Sequence, residues 1–152
     1  MEEVRPLTAK EYLQQIYHAD RRIKMLVREK NDLRDCLYAY GRSPSDLTAD
    51  RVQSSADPDK MLNLISKLRE KEDEITHKID ELVDIKAVIS GQIQRLDNPK
   101  YIELLHSRYV LCAKWEVIAA EMDTTERWVY RLHGMALQEF TKQFAPFKRL
   151  GH

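Results

Sequence analysis

The sequence predicts an all-α protein in which a long antiparallel helical hairpin, a coiled coil, precedes a small helix-turn-helix domain. Two long segments repeat apolar residues at alternating spacings of three and four, as in helices that pack along a seam. Only 4 Gly and 5 Pro occur in 152 residues, so little interrupts these helices. Beyond residue 98 the long repeat gives way to shorter apolar patterns. We therefore expect the hairpin at 1–98 and the second domain at 99–152.

The first helix is expected to begin after Thr8. In "TAKE" the Thr8 hydroxyl can accept from the Glu11 amide while the Glu11 carboxylate reaches back, which forms a capping box. The apolar seam then continues to Tyr40, and Gly41 is a natural C-cap. Gly, Pro, Ser and Asp are frequent in 41–57, which indicates a long loop. Its central part, Asp50–Ser55, fits either a contact loop for a partner or a polar connector.

The second long helix is expected to begin with Asp57 as N-cap and Pro58 at the first helical position. Its apolar stripe is wider than one partner helix would cover. We therefore expect two hairpins to pack as a homodimer or higher oligomer; coverage of the stripe by the C-terminal domain of the same chain is the alternative. The residues expected to pack the hairpin or dimer are Ile65, Leu68, Ile75, Ile79, Leu82, Ile89 and Ile93.

A charged residue interrupts each seam, and the two have opposite signs. Folding the chain about the loop brings Lys30 of the first helix close to Glu72 of the second. We expect these two side chains to form an ion pair across the hairpin.

The formal net charge is zero, which argues against a protein held on nucleic acid by bulk electrostatics alone. From Thr124 onward, however, five basic residues stand against two acidic ones. The chain has no apolar run near the roughly 18 residues that span a bilayer, and its start lacks the order of a signal peptide. We expect a cytoplasmic protein without a membrane partner, in which Cys36 and Cys112 are reduced and pack between helices.

The segment from Trp115 to Leu137 predicts a short helix, a tight turn and a second helix. Thr125 is the expected N-cap of a helix over about 125–140, whose apolar side carries Val129, Leu132, Ala136, Leu137 and Phe140. The other side carries charged and aromatic residues, among them two arginines four apart. Arginine reads guanine in the major groove through paired hydrogen bonds. Periodicity alone fits a DNA-reading helix and a packing helix with a solvated charged face equally well.

The stretch "KWEVIAAEMDTTERWVYRLHGMALQEF" resembles the helix-turn-helix of region four of primary bacterial sigma factors. The residues that fill the family's pattern are Trp115, Glu116, Ile118, Ala119, Met122, Thr125, Val129, Leu132, Ala136 and Leu137. The resemblance implies that Glu126, Arg127, Tyr130 and Arg131 lie at base-reading positions. The family has a basic residue where Glu126 stands and Gln where Arg131 stands, so its DNA preference does not carry over.

Nearly the whole chain is similar to small uncharacterised prophage proteins of Gram-positive bacteria, grouped with late transcription regulators of the RinA and ArpU type. The segment "VYRLHGMAL" carries most of this resemblance. It implies a phage-encoded transcription regulator in the bacterial host cell, with double-stranded DNA as partner and RNA polymerase as a second candidate. The expected DNA-binding residues are Lys114, Thr125, Glu126, Arg127, Tyr130, Arg131 and His133.

Two other functions stay open at this point. The C-terminal domain would serve as an adaptor if it bound RNA polymerase or another regulator without touching DNA. A DNA-packaging protein like the small terminase subunits is the other alternative, although those place the helix-turn-helix before the coiled segment. The sequence has no phosphate-cradling glycine loop, no Cys pair at metal spacing and no nucleophile elbow. We expect neither an enzyme nor a metal or cofactor.

Overall fold

A computed structural model describes residues 5–41 and 57–151 of the chain. These residues are helical and form no strand, which confirms the all-α prediction; Leu7 and Phe147 make one isolated antiparallel bridge. The predicted loop, including Asp50–Ser55, lies outside the described residues except at its ends. No helix in the described ranges is long and apolar enough to cross a bilayer. The helices are α1 Ala9–Leu13, α2 Gln15–Gly41, α3 Pro58–Gln94, α4 Pro99–Leu105, a π-helical segment His106–Val110, α5 Trp115–Glu121 and α6 Glu126–Phe144.

The predicted starts of α1 and α3 are confirmed. The Glu11 amide donates to Thr8 Oγ1 at 3.2 Å, and the Thr8 amide donates to Glu11 Oε2 at 2.9 Å, which completes the capping box. These hydrogen bonds hold the pKa of the Glu11 carboxyl below its ordinary value. At α3 the Asp59 amide donates to Asp57 Oδ1 at 3.1 Å, directly before Pro58. Each side chain pairs an amide that has no partner inside its helix.

The chain divides into two compact units, one of Met1–Asp20 with Asp80–His152 and the other of Arg21–Ile79. This division does not follow the predicted boundary at residue 98. The first unit combines the N-terminal residues with the C-terminal region because α1 packs against residues near the C-terminus. Tyr12 of α1 stacks on Phe147 with centroids 4.9 Å apart, and its hydroxyl donates to Gln92 Oε1 at 2.6 Å. Phe140 of α6 is fully buried and lies 6.1 Å from the Tyr12 ring. The C-terminal residues thus return to α1, which periodicity did not predict.

Within the second unit, α2 and α3 contact each other through polar pairs. Lys71 Nζ lies 2.8 Å from Glu29, and Arg34 lies 3.8 Å from Glu72. The Asp57 amide donates to the Tyr40 hydroxyl at 2.7 Å. The ion pair of Glu72 is thus with Arg34, one turn beyond the Lys30 that we expected.

The buried side of α3 differs in part from the predicted packing set. Leu68 is half-buried, and Ile75, Leu82, Ile89 and Ile93 are buried. Two members of the predicted set are instead exposed, Ile65 at 39% and Ile79 at 43%. The buried side of α3 instead includes four residues outside the predicted set, which are half-buried or buried: Leu64, Lys71, Lys78 and Ile85. An alternation of three and four residues fits both the predicted set and the set that is buried. Lys71 and Lys78 can belong to the buried set because the aliphatic part of a lysine side chain covers apolar surface.

Candidate nucleic-acid interface

A small apolar core holds α5 and α6 in position. Both α4 and α5 contact α6. The buried members of the core are Leu104, Ile118, Ala119, Val129 and Leu132, with Tyr101, Ala113, Trp115 and Met122 packed at its edge. The two α6 members, Val129 and Leu132, are residues that the sequence placed on the apolar side of this helix. The opposite side of α6 is therefore turned toward solvent.

The chain passes from α5 to α6 through a tight turn. The amides of Met122 and Thr124 donate back to the carbonyls of Ile118 and Ala119 at 2.9 and 3.0 Å. Asp123 has a φ of 57°, in the left-handed region that Asp tolerates better than most residues. Thr125 then caps α6, accepting from the Trp128 amide at 3.2 Å, as the sequence predicted.

Six of the seven predicted DNA-binding residues are exposed and lie at the start of α6 or directly before α5. They are Lys114, Thr125, Glu126, Arg127, Tyr130 and Arg131. Arg127 and Arg131 are one turn apart on the same side of the helix. Neither guanidinium makes an ion pair or hydrogen bond with any residue in the described part of the chain. Both cations therefore have all of their donors available to a ligand.

Aromatic and cationic side chains pack around Trp115, beside the exposed start of α6. Trp115 of α5 lies 5.0 Å from the Tyr130 ring, measured between centroids. Arg108 lies over the Trp115 ring at 4.3 Å and donates to the Ala113 carbonyl at 2.9 Å. Tyr130 is 51% exposed, so part of its side chain is open to solvent. The contact between Trp115 and Tyr130 joins α5 to the first turns of α6.

His133 lies apart from the other six and inside the protein. It is 9% exposed, and its Nε2 lies 2.6 Å from the Tyr109 hydroxyl. The Trp115 ring meets it edge-on at 4.8 Å. Burial, with the charges of Lys10 and Arg108, lowers the pKa of His133 to about 4. The imidazole is thus a neutral packing group at neutral pH, and this placement does not support the predicted phosphate contact.

The π-helical segment that carries Tyr109 and Arg108 was not predicted. Its wider turn is closed by the Leu111 amide, which donates to the His106 carbonyl at 3.0 Å. Burial raises the pKa of Tyr109 to about 12, so the phenol stays protonated and can donate to His133. Segments of this type are frequent at functional sites.

Neither cysteine is buried as we expected. Cys36 and Cys112 are both free and exposed. The described residues contain no group of three or more His, Cys, Asp or Glu side chains that could hold a metal ion.

The sequence prediction stopped short of the full outward side of α6. At spacings of three and four this side continues past Arg131, and every residue on it is exposed. Its members are Arg127, Arg131, Gly134, Gln138, Thr141 and Lys142. It contains no carboxylate, because Glu126 and Glu139 fall to either side of it. The 3.6-residue period would have identified the extension from the sequence.

Comparison of the chain with protein-family models, with curated proteins and with solved structures gives no match.

Proposed function

We propose that the protein is a phage-encoded, sequence-specific DNA-binding regulator of transcription rather than an enzyme. In this proposal α5, the turn and α6 form a helix-turn-helix, and the first two turns of α6 enter the major groove. The antiparallel hairpin made by α2 and α3 braces this domain or joins two copies. The resemblance to sigma factor region four supports the docking mode.

The observation that carries the proposal is the pair of unneutralised arginines on a rigidly held helix start. Arg127 and Arg131 are exposed, one turn apart, and have no partner among the described residues. The core residue Val129 between them is fully buried, so the helix cannot rotate without breaking the core. The planar arginine guanidinium is the group that pairs with guanine O6 and N7, each good pair giving about 1–3 kcal/mol of discrimination.

The other exposed residues have supporting roles. The Thr125 oxygen accepts from the Trp128 amide, which leaves the hydroxyl proton for a phosphate. Tyr130 and Lys114 flank the arginines and would contact the sugar–phosphate backbone. Glu126 would accept from the exocyclic amine of cytosine, the base contact that a carboxylate makes. His133 is left out because it is buried.

If two hairpins pair, the two recognition helices face half-sites separated by a multiple of one helical turn of DNA. Ile65 and Ile79 are exposed on α3 at 39% and 43%. They lie fourteen residues apart, which is two heptads, and so share one side of the helix. These two exposed apolar side chains support the homodimer.

The direct test is an electrophoretic shift of fragments of the encoding genome, measured at two salt concentrations. We expect one fragment to shift selectively, with a shallow dependence on salt because few phosphates are neutralised. Arg131→Ala should weaken that shift, whereas Arg28→Ala, an exposed arginine of α2, should not. Equal shifts of all fragments, or none, would contradict the proposal.

A protein adaptor is the second candidate, favoured by apolar residues at the side of the same helix. Trp128 is 41% exposed and Met135 is 39% exposed; seven residues apart, they lie on one flank of α6. Exposed aromatic and Met side chains are typical of protein interfaces. Co-purification of RNA polymerase that is lost in Trp128→Ala and kept in Arg131→Ala, with no DNA shift, would favour the adaptor.

A further inference from the structure

Gly134 stands in the middle of the outward side of α6, and no described residue packs against it. A Cβ added there would meet no atom within 4 Å. The residue is exposed and helical, and its φ is not positive. Glycine in a helix interior is less favourable than alanine because it loses more conformational freedom on folding. Neither packing nor backbone conformation therefore explains this glycine.

The neighbours of Gly134 along the helix are cationic or polar. Arg131 and Arg127 precede it by about one and two turns, and Gln138 and Lys142 follow it by similar distances. All four are exposed, and no carboxylate shares their side of α6. The glycine is thus a gap in the centre of an electropositive ridge, where a ligand could come close to the helix backbone.

Lys10 of α1 adds a further cation beside the far end of this ridge. A shallow groove of about 370 Å³ is lined by residues of both helices, including Lys10, Gln138, Thr141 and Lys142. Lys10 and Lys142 are both exposed, so two cations border one groove.

We propose that a DNA duplex lies along the outward side of α6 from Arg127 to Lys142, closest to the helix at Gly134, with Lys10 and Lys142 on its phosphates. The inference rests on the proposed function and extends it. Glycine is used where a backbone must approach a ligand closely. Double-stranded DNA fits because a carboxylate-free ridge with flanking lysines complements phosphate rather than a mixed protein surface.

The test compares Gly134→Ala and Gly134→Leu with Gly91→Ala on the duplex that shifts best with the wild-type protein. Gly91 is the matched control, because it is also helical and exposed, with nothing within 4 Å of an added Cβ. Each alanine variant should melt about 2–4 °C higher. Gly134→Ala should bind DNA at least about fivefold more weakly, the loss expected of one direct contact, and Gly134→Leu more weakly still. Gly91→Ala should bind as the wild type does.

The lysines are tested through salt dependence. Lys10→Ala and Lys142→Ala should each reduce the slope of log affinity against log salt by about 1. Lys100→Ala, an exposed lysine at the start of α4, should leave the slope unchanged. Wild-type affinity in Gly134→Leu, with the wild-type protein still shifting the duplex, overturns this inference alone. Absence of any shift by the wild-type protein overturns the proposed function together with the inference.

Discussion

Acidification should destabilise the protein through His133, because this histidine is buried as a neutral imidazole. Its pKa is lowered from 6.5 to about 4, first by burial and then by the charges of Lys10 and Arg108. Above about pH 6.5 the residue is neutral in both states, so its contribution to stability is fully present. As the pH falls below that value the unfolded chain binds a proton that the folded chain does not accept. The free energy of unfolding therefore decreases until the pH reaches about 4.

The size of the effect follows from the width of this window. Each pH unit between the two pKa values corresponds to about 1.4 kcal/mol. At about pH 5 the loss is about 2 kcal/mol, and by about pH 4 it is about 3 kcal/mol. With a urea m-value of about 2 kcal/mol per molar, the loss at about pH 5 lowers the unfolding midpoint by about 1 M.

Urea unfolding at about pH 7.5 and about pH 5 measures this change. His133→Gln retains a hydrogen-bonding partner for the Tyr109 hydroxyl and removes the titrating group. We expect the difference between the two pH values to shrink by about 2 kcal/mol in this variant. His18→Gln, which alters an exposed histidine, should keep the wild-type difference. If His133→Gln and the wild-type protein lose the same stability between these pH values, the claim that His133 is buried as a neutral imidazole is refuted.

Two further predictions concern the core and the cap of α6. Phe140→Ala should lower the free energy of unfolding by about 3–5 kcal/mol, because Phe140 is fully buried and stacks on Phe147 at 5.5 Å; Trp128→Ala, at an exposed position, should cost less than about 1 kcal/mol. Equal losses in these two variants would contradict the described core. Thr125→Ala should cost about 1 kcal/mol by loss of the bond from the Trp128 amide. Thr125→Ser should recover most of that stability in the same urea titration, and a Ser variant as unstable as Ala would rule out the cap.

Local sequence patterns were sufficient to predict α5, the turn after it and α6. The start of α6 was identified from Thr125, because a hydroxyl before an apolar repeat indicates a helix N-terminus. Of the residues assigned to the apolar side, Leu137 is half-buried, and the other four are buried: Val129, Leu132, Ala136 and Phe140. Because these residues define the buried side of α6, Arg127 and Arg131 must lie on its exposed side. Periodicity thus determines which residues of α6 are available to a ligand.

Contacts between residues distant in the sequence were not predictable from local patterns. Phe147 packs on Tyr12, 135 positions earlier, and no local pattern indicates that pairing. His133 was expected among the DNA-binding residues, yet Tyr109 provides a partner that makes its burial possible. On α3 the repeat predicted packing at Ile65 and Ile79, and both are exposed in the single chain. Gly134 was not identified as a candidate contact residue from the sequence. Its role depends on the absence of any described atom within 4 Å of an added Cβ, which only the structure shows.

The ratio of affinities for a cognate duplex and a scrambled duplex of equal length tests base reading by α6 most directly. Removing a base contact lowers this ratio, whereas removing a phosphate contact weakens both duplexes alike. For Arg131→Ala we predict a decrease of about 5- to 150-fold, equivalent to about 1–3 kcal/mol. Lys142→Ala should leave the ratio unchanged while weakening both duplexes. A wild-type ratio in both Arg127→Ala and Arg131→Ala would contradict the claim that these arginines read DNA sequence.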